Sequence, residues 1–479
     1  MNDAAAQRKG AGDSGRLDPA VWKIASVAVI GSFMAQIDAT VVNVSLSSLA
    51  VSLHSSLAGI QWVTSGYLLA LALMLPLNAW LVDRIGAKGL YLWCFAAFTL
   101  SSALCGLAWS ANSLIAFRVL QGMSGGLLAP MAQMMITRAA GKRMAQVVSF
   151  AALPVLLAPL LGPVLAGAIL QFATWRWLFL INLPVGALAI VLAVLFLPDD
   201  REERRGRSLD LVGLALLSPG LVLFLYGSDH LGERAGLAAL ILSLVVLALF
   251  YQWARAKGDA ALIDLRLLRG KAFSASITTM FMVNGVSFAG QMLIPIYLIR
   301  ACGLSPGATG WLLAPLGLGM MCGYPLTGFL TTRFGIRRVA ASGALLALAG
   351  ALPFVYLARH GLALTVLAPA LFVRGLGMSA IGLPSITSGY ASVDRRDLPM
   401  ATAAMNIVQR LGGPTLTTLC ATFLGWRLAA APGAGGQSAA FVAAFALLCA
   451  LHALLFVAAI RLPLTLDGPA LQPPQAKPA

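Results

Sequence analysis

One aspartate, Asp38, stands deep inside an apolar run that extends from Ile24 to Leu53. A carboxylate so placed can take up and release a proton, hold an ion, or answer a buried cation. At the centre of a membrane-spanning helix it costs about 2.5–3.5 kcal/mol on insertion scales, so its presence needs a reason. Every other acid falls in a tail, in a loop or within a turn of a helix end. Arg118 lies inside a second apolar run. A guanidinium at that depth needs acceptors, and Asp38 is the only acid available to it. An adjacent guanidinium keeps a carboxylate ionised, whereas burial favours the neutral form. A change in their separation would therefore switch the proton affinity of Asp38. The rival reading is a static ion pair that locks two helices.

Nucleophilic chemistry is the other option the residues offer. Gly122-Met123-Ser124-Gly125 fits the GxSG pattern of intramembrane serine proteases. Such a serine needs a histidine within hydrogen-bond reach, and only His452 lies in an apolar run. The looser GxSxG pattern recurs at Gly303-Leu304-Ser305-Pro306-Gly307, which shows how little it selects. No HExxH, phosphate loop, haem or dinucleotide fingerprint carries weight. The six cysteines include no CxxC pair and read as small buried hydrophobes. No enzyme activity, metal or cofactor is expected, and without an ATP site any transport must be gradient-driven or passive.

The elements that must position Asp38 and Arg118 are membrane spans. Hydrophobic residues make up 59% of the chain, charged residues 10%, and mean hydropathy is +0.86. Soluble domains carry about 25% charged residues. Fourteen apolar runs are long enough to cross a bilayer: 22–50, 58–82, 89–109, 112–138, 147–171, 177–198, 210–228, 236–254, 272–299, 306–331, 339–358, 362–389, 400–426 and 438–461. The fold class expected is an all-α polytopic membrane protein. With the N-terminus inside, the cytoplasmic segments hold 25 of the 33 Lys and Arg, and the outer loops hold five. That split obeys the positive-inside rule and places both termini in the cytoplasm. The net charge of +16 is thus an orientation signal, and nucleic-acid binding is not expected.

The chain repeats itself. Residues 76–86 read PLNAWLVDRIG and residues 325–335 read PLTGFLTTRFG, an offset at which Trp62 also matches Trp311. A looser echo pairs Arg118 in FRVLQGMSGG with Arg374 in FVRGLGMSAI. Two parallel six-helix halves follow, with a substrate site between them. The domains expected are a tail 1–21, an N-terminal bundle 22–198, a charged linker 199–209, an inserted helix pair 210–256, a C-terminal bundle 272–461 and a tail 462–479.

Ala79-x-Leu81-x-Asp83-Arg84-x-Gly86 resembles the loop motif of the major facilitator superfamily, and Arg333 and Gly335 stand at the matching places of the second copy. The resemblance implies a charge latch that holds one side closed. Ala79 replaces the usual glycine, and Thr332 replaces the acid, so the latch should be stronger in the N-terminal half. Arg118-x-x-Gln121-Gly122 resembles the family's arginine motif, which faces a cavity shared with span one. Ala158-x-x-x-Gly162-Pro163-x-x-Ala166-Gly167 partly matches its antiporter motif. IDATVVNVSL in span one, WRWLFLINLPVG before span six and LDLVG at 209–213 look like signatures of the fourteen-helix drug:proton antiporter branch. The resemblance covers residues 22–461 and is specific to the branch, not to a substrate.

It implies proton-coupled efflux of lipophilic small molecules or drugs across a bacterial inner membrane, with Asp38 as proton site and Arg118 as its modulator. Candidate cavity contacts are Asn43, Gln61, Gln121, Gln291, Tyr297 and Asn406, polar residues inside apolar spans. Partners are a small lipophilic substrate, protons and membrane lipids, with a periplasmic adaptor and outer-membrane channel as further candidates. A dedicated exporter of one metabolite or antibiotic is the alternative, and an intramembrane serine protease the outlying one. Because Asp38 is the only membrane acid, the expected substrates are neutral, anionic or singly cationic, with divalent cations handled poorly.

Overall fold

Runs rich in Leu, Ala and Val that exceed 20 residues must satisfy their backbone groups internally in lipid, and the helix does so within one segment. The computed structural model of the chain describes residues 19–140, 161–162, 165–199, 208–430 and 434–464, with residues 147 and 158. The helices are α1 (Pro19–Ser52), α2 (Leu57–Met74), α3 (Asn78–Ile85), α4 (Ala87–Gly106), α5 (Ala111–Ala140), α6 (Trp177–Leu180), α7 (Asn182–Phe196), α8 (Leu211–Asp229) and α9 (Arg234–Lys257). There follow α10 (Lys271–Ile296), α11 (Pro306–Leu312), α12 (Ala314–Phe334), α13 (Ile336–His360), α14 (Leu364–Ala391), α15 (Leu398–Ala430) and α16 (Ala434–Ala459). Among the described residues there is no strand.

Twelve of the described segments are long and apolar enough to cross a membrane. Helix α15, with 33 residues, reaches about 50 Å at 1.5 Å per residue but is interrupted by polar groups. Most of span five, including Pro163, and most of the linker and of both tails fall outside the described residues. A total of fourteen spans is compatible with this. Two spans are less regular than their hydropathy implies. Pro76 sits in a 3₁₀ turn, Leu75–Leu77, that joins α2 to α3. Beyond Pro295, α10 passes into a π turn at Tyr297–Ala301. Each proline removes a backbone donor that a continuous helix would use.

The repeat is carried by local geometry. Gly86 and Gly335 each link two helices with φ of 88° and 85°, a region that glycine enters without strain. The Ser56 hydroxyl accepts from the Gly59 N–H to cap α2, and the Ser305 hydroxyl accepts from Ala308 to cap α11. Both pairs share the 249-residue offset seen in sequence.

In the N-terminal half α5 packs against α1, α2 and α4, and α7 packs against α1 and α4. Gly122 and Gly126 of α5 bear on the carbonyls of Tyr67 and Leu71, so any side chain there would collide with α2. The C-terminal half mirrors this: α14 packs against α12 and α13, and Gly375 bears on the Leu316 carbonyl. The halves meet where α15 touches α3, α5 and the 3₁₀ turn. That end carries Arg84, Arg333 and Arg337 and is called the basic end below.

The inserted helices α8 and α9 pack on each other, and α8 also lies against α2 and α15. Asp210 fixes their base. Its carboxylate accepts from Gly213 N–H, Leu262 N–H, the Trp253 indole and Lys257. Burial alone would raise its pKa, but the hydrogen bonds from Lys257, Gly213, Trp253 and Leu262 outweigh burial and hold it below the usual carboxylate value. A depressed folded-state pKa stabilises the fold above the unfolded value, and that contribution disappears as pH falls through the folded one. Asp210→Asn is therefore expected to lower stability by about 1–3 kcal/mol near pH 7, with the gap closing below about pH 4. Thermal melts across that range check it; a deficit independent of pH would contradict the charge assignment.

Candidate functional site

Asp38 lies midway along α1 and is 2% exposed; Arg118 of α5 is fully buried. The Arg118 Nη1 donates to Asp38 Oδ2 at 2.5 Å and to Gln121 Oε1 at 2.8 Å, and its Nε donates to the Val63 carbonyl at 3.2 Å. Asp38 Oδ1 accepts from Gln121 Nε2 at 3.1 Å and from Asn182 Nδ2 at 2.9 Å. Ser102 closes the ring: its hydroxyl accepts from Gln121 and Asn182 and donates to the Phe179 carbonyl. The Tyr67 ring lies 4.1 Å from the guanidinium. Four helices, α1, α4, α5 and α7, thus supply a dry polar cage in the N-terminal half. Taking the proton at Asp38 would neutralise one partner of Arg118 and leave a buried cation held by neutral acceptors alone.

A second feature lies between the halves. A cavity of about 370 Å³ is bounded by α1, α5, α10, α12, α14 and α15. Its walls are chiefly Ala, Val, Ile, Leu and Met, with Ser32, Gln133, Asn284, Ser287, Tyr324 and Gln409 as polar points. No acidic side chain lines it among the described residues. On its basic-end side, Gln133 Oε1 accepts from the Tyr390 hydroxyl at 2.8 Å and from Asn406 Nδ2 at 3.2 Å. Gln133 belongs to the first half and the other two to the second, so these bonds clasp the halves together.

The residues singled out in sequence scatter accordingly. Gln121 belongs to the Asp38 cage, and Asn406 to the clasp. Gln61 and Gln291 are exposed, the latter donating to Ser287. Tyr297 is buried against Phe441 and Phe445 and donates to the Leu357 carbonyl. None of these five lines the cavity. Asn43 lies in α1, but its side chain is outside the description. Asn182, Ser102, Gln133, Tyr390 and Gln409 were not singled out. Asn182 had a signal, being the one amide in WRWLFLINLPVG. Ser124 donates to the Gln121 carbonyl, and His452 Nδ1 bonds the Leu448 carbonyl in the other half. The serine therefore has no general base among the described residues.

A profile of the Major Facilitator Superfamily matches residues 28–414. The chain belongs to the major facilitator superfamily. It is 34% identical over 417 residues to the multidrug resistance protein B homolog of Mycobacterium tuberculosis, covering 85% of this chain and 77% of the relative. It is 32% identical over 411 residues to the putative multidrug resistance protein MdtD of Yersinia enterocolitica, covering 83% and 86%. A double-tryptophan mutant of XylE shares the fold at a TM-score of 0.66 and 15% identity, over 94% of this chain and 97% of that one. The protein is a membrane transporter, not an enzyme.

The other positions of the superfamily motifs lie outside the cage. Asp83 is half-buried and Arg84 exposed at the basic end of α3, one turn or less before Gly86. Arg333 and Thr332 are exposed in the second copy, where the Thr332 hydroxyl only donates to the Phe329 carbonyl. Gly162 abuts Thr40 of α1, so a larger residue there would press on the helix that carries Asp38. Gly167 has open space around its Cα.

Proposed function

We propose that this superfamily member is a proton-coupled exporter of lipophilic small molecules in a bacterial inner membrane. The carrying observation is the cage that encloses Asp38 away from the inter-half cavity. A protonatable group and a cargo cavity, carried by halves that rock on one another, give alternating access the two sites it couples. The relatives named as multidrug resistance proteins support efflux and substrate breadth. The basic end, read as cytoplasmic from its Lys and Arg, is the end the clasp closes. Asp38 takes the proton, Arg118 tunes it, and rocking of the halves exposes the cavity to each side in turn.

The test uses inverted vesicles carrying the protein. Adding substrate should dissipate an imposed proton gradient, and collapsing the gradient should stop accumulation. A dye accumulated equally with and without the gradient would sink proton coupling. A panel of unrelated compounds in a pump-deficient strain separates a broad exporter from a dedicated one, the second reading. The latch reading makes a sharper demand. Asp83→Asn is expected to cut transport severalfold, and Thr332→Ala to leave it within twofold, at equal membrane abundance. Only the first change removes a charge. Equal defects would refute an asymmetric latch in which Arg84, Gly86, Arg333 and Gly335 serve the two ends unequally.

A further inference from the structure

We infer that a pocket between the end of α9 and the turn before α10 holds the phosphate of an anionic lipid headgroup, with Arg255 and Arg269 as the groups that answer it. Helix α9 stops at Gly258, where φ is 64°, a value glycine takes without strain. Two contacts then fix the chain. Asp210 accepts from the Leu262 N–H, and the Asp264 N–H meets Met400 Sδ near the start of α15. Asp264 caps a 3₁₀ turn, Leu265–Arg269, that leads into α10. Between this turn and the last two turns of α9 lies a pocket of about 350 Å³ at the basic end. It shares no residue with the Asp38 cage or the inter-half cavity.

Three arginines line the pocket, Arg255 from α9 and Arg266 and Arg269 from the turn, against one carboxylate, Asp264. That carboxylate is already spent. Both its oxygens accept from the Arg266 guanidinium at 2.8–3.0 Å, and Asp259 lies 3.5 Å from the same group. Arg255 and Arg269 form no hydrogen bond or ion pair with any described residue. The pocket therefore presents two unanswered guanidinium groups, one from each wall.

The guanidinium fork matches phosphate oxygens and bonds them in pairs. What lies along α9 says which phosphate. Leu237, Ile241, Leu244, Ala248, Tyr251 and Arg255 are all exposed, and steps of three and four residues set them on one helix face. Arg255 thus heads an apolar stripe on a segment long and apolar enough to cross a membrane. Tyr251, one turn below it, has the amphipathic ring that suits the membrane interface. A free phosphate would use the guanidinium groups alone. A phospholipid uses both features, its phosphate in the pocket and an acyl chain along the stripe, and basic pockets at the ends of spans are where anionic headgroups dock. Bound there, the headgroup would tie α9 to the turn that starts α10. Lipid composition would then set how freely the C-terminal half moves against the inserted pair.

The test is native mass spectrometry of the full chain, delipidated in detergent and titrated with phosphatidylglycerol or phosphatidylcholine of the same acyl chains. The first phosphatidylglycerol should bind at least about tenfold more tightly than the first phosphatidylcholine, the scale of two surface cations. Arg255→Gln combined with Arg269→Gln should bring the two lipids within about twofold of each other. Arg338 and Arg396 are exposed at the same end. Changing both of these to Gln removes equal charge and should keep the preference. Equal binding of the two lipids by the parent, an unchanged preference in the first pair of variants, or an equal loss in the second pair would each overturn the inference. Inorganic phosphate in excess should leave the lipid bound; displacement would give the pocket to free phosphate and overturn the lipid assignment. If the first pair does not fold, a phosphatidylglycerol with a photoreactive headgroup decides on the parent chain. Its label should fall within residues 251–269, and label confined elsewhere would sink the site.

Discussion

Asp38→Asn is expected to abolish gradient-driven export and also to destabilise the protein. Asparagine matches the carboxylate in shape, but it turns an acceptor pair into one acceptor and one NH₂ group. Asp38 Oδ1 receives two amide donors and Oδ2 receives the guanidinium. Whichever way the new amide turns, a donor faces a donor. Arg118 is left buried without its anion, and breaking a buried pair from one side costs about 3–5 kcal/mol. Adding Arg118→Gln removes the stranded cation and should recover most of the melting temperature. It should not recover proton movement, since no titratable group remains in the cage. Melting curves and substrate-induced proton flux on the single and double variants check both halves. Restored transport in the double variant would mean that the pair is only a structural lock and would overturn the proton assignment.

Gln133→Leu is expected to open the basic end. The clasp is one carboxamide oxygen that accepts from Tyr390 and Asn406 across the two halves. Leucine keeps the volume and removes both bonds. It also leaves two buried donors without their acceptor, at about 1–3 kcal/mol each. A conformational equilibrium biased by a few kcal/mol then shifts by tenfold or more toward the state in which those donors reach water. Single cysteines placed on α3 and α15 near the basic end should become reactive to a membrane-impermeant thiol reagent in inverted vesicles. Reactivity unchanged from the parent would show that the clasp carries no gating energy.

Charge and hydropathy exposed the spans, and an offset of 249 residues exposed the halves, because both are written in residue type along the chain. The Asp38–Arg118 pairing was also legible: one membrane-depth acid leaves a buried guanidinium few options. The rest of the cage was not. Asn182 reaches the carboxylate from α7 and Ser102 of α4 accepts from Asn182 and Gln121 behind it, and which face a short polar side chain occupies depends on helix rotation. Nearly uniform apolar sequence does not encode that rotation. The same ambiguity misled the reading of Gln61 and Gln291, exposed polar groups in apolar runs. Tyr297 was obscured by the π turn after Pro295, which shifts the register of side chains beyond it. Gln133 went unnoticed because its partners lie 257 and 273 residues away.

The cage draws every one of its groups from residues before 200, whereas the cavity takes its walls from both halves. On the proposed reading, power intake stays within one copy of the duplicated unit, and the other copy is left free to vary with the cargo. Substitutions at Met320, Tyr324, Met378 and Gln409 would then redraw the range of cargo without touching the cage around Asp38. Selection by a new toxin then has a short path, through one half of the gene, to a pump that still runs.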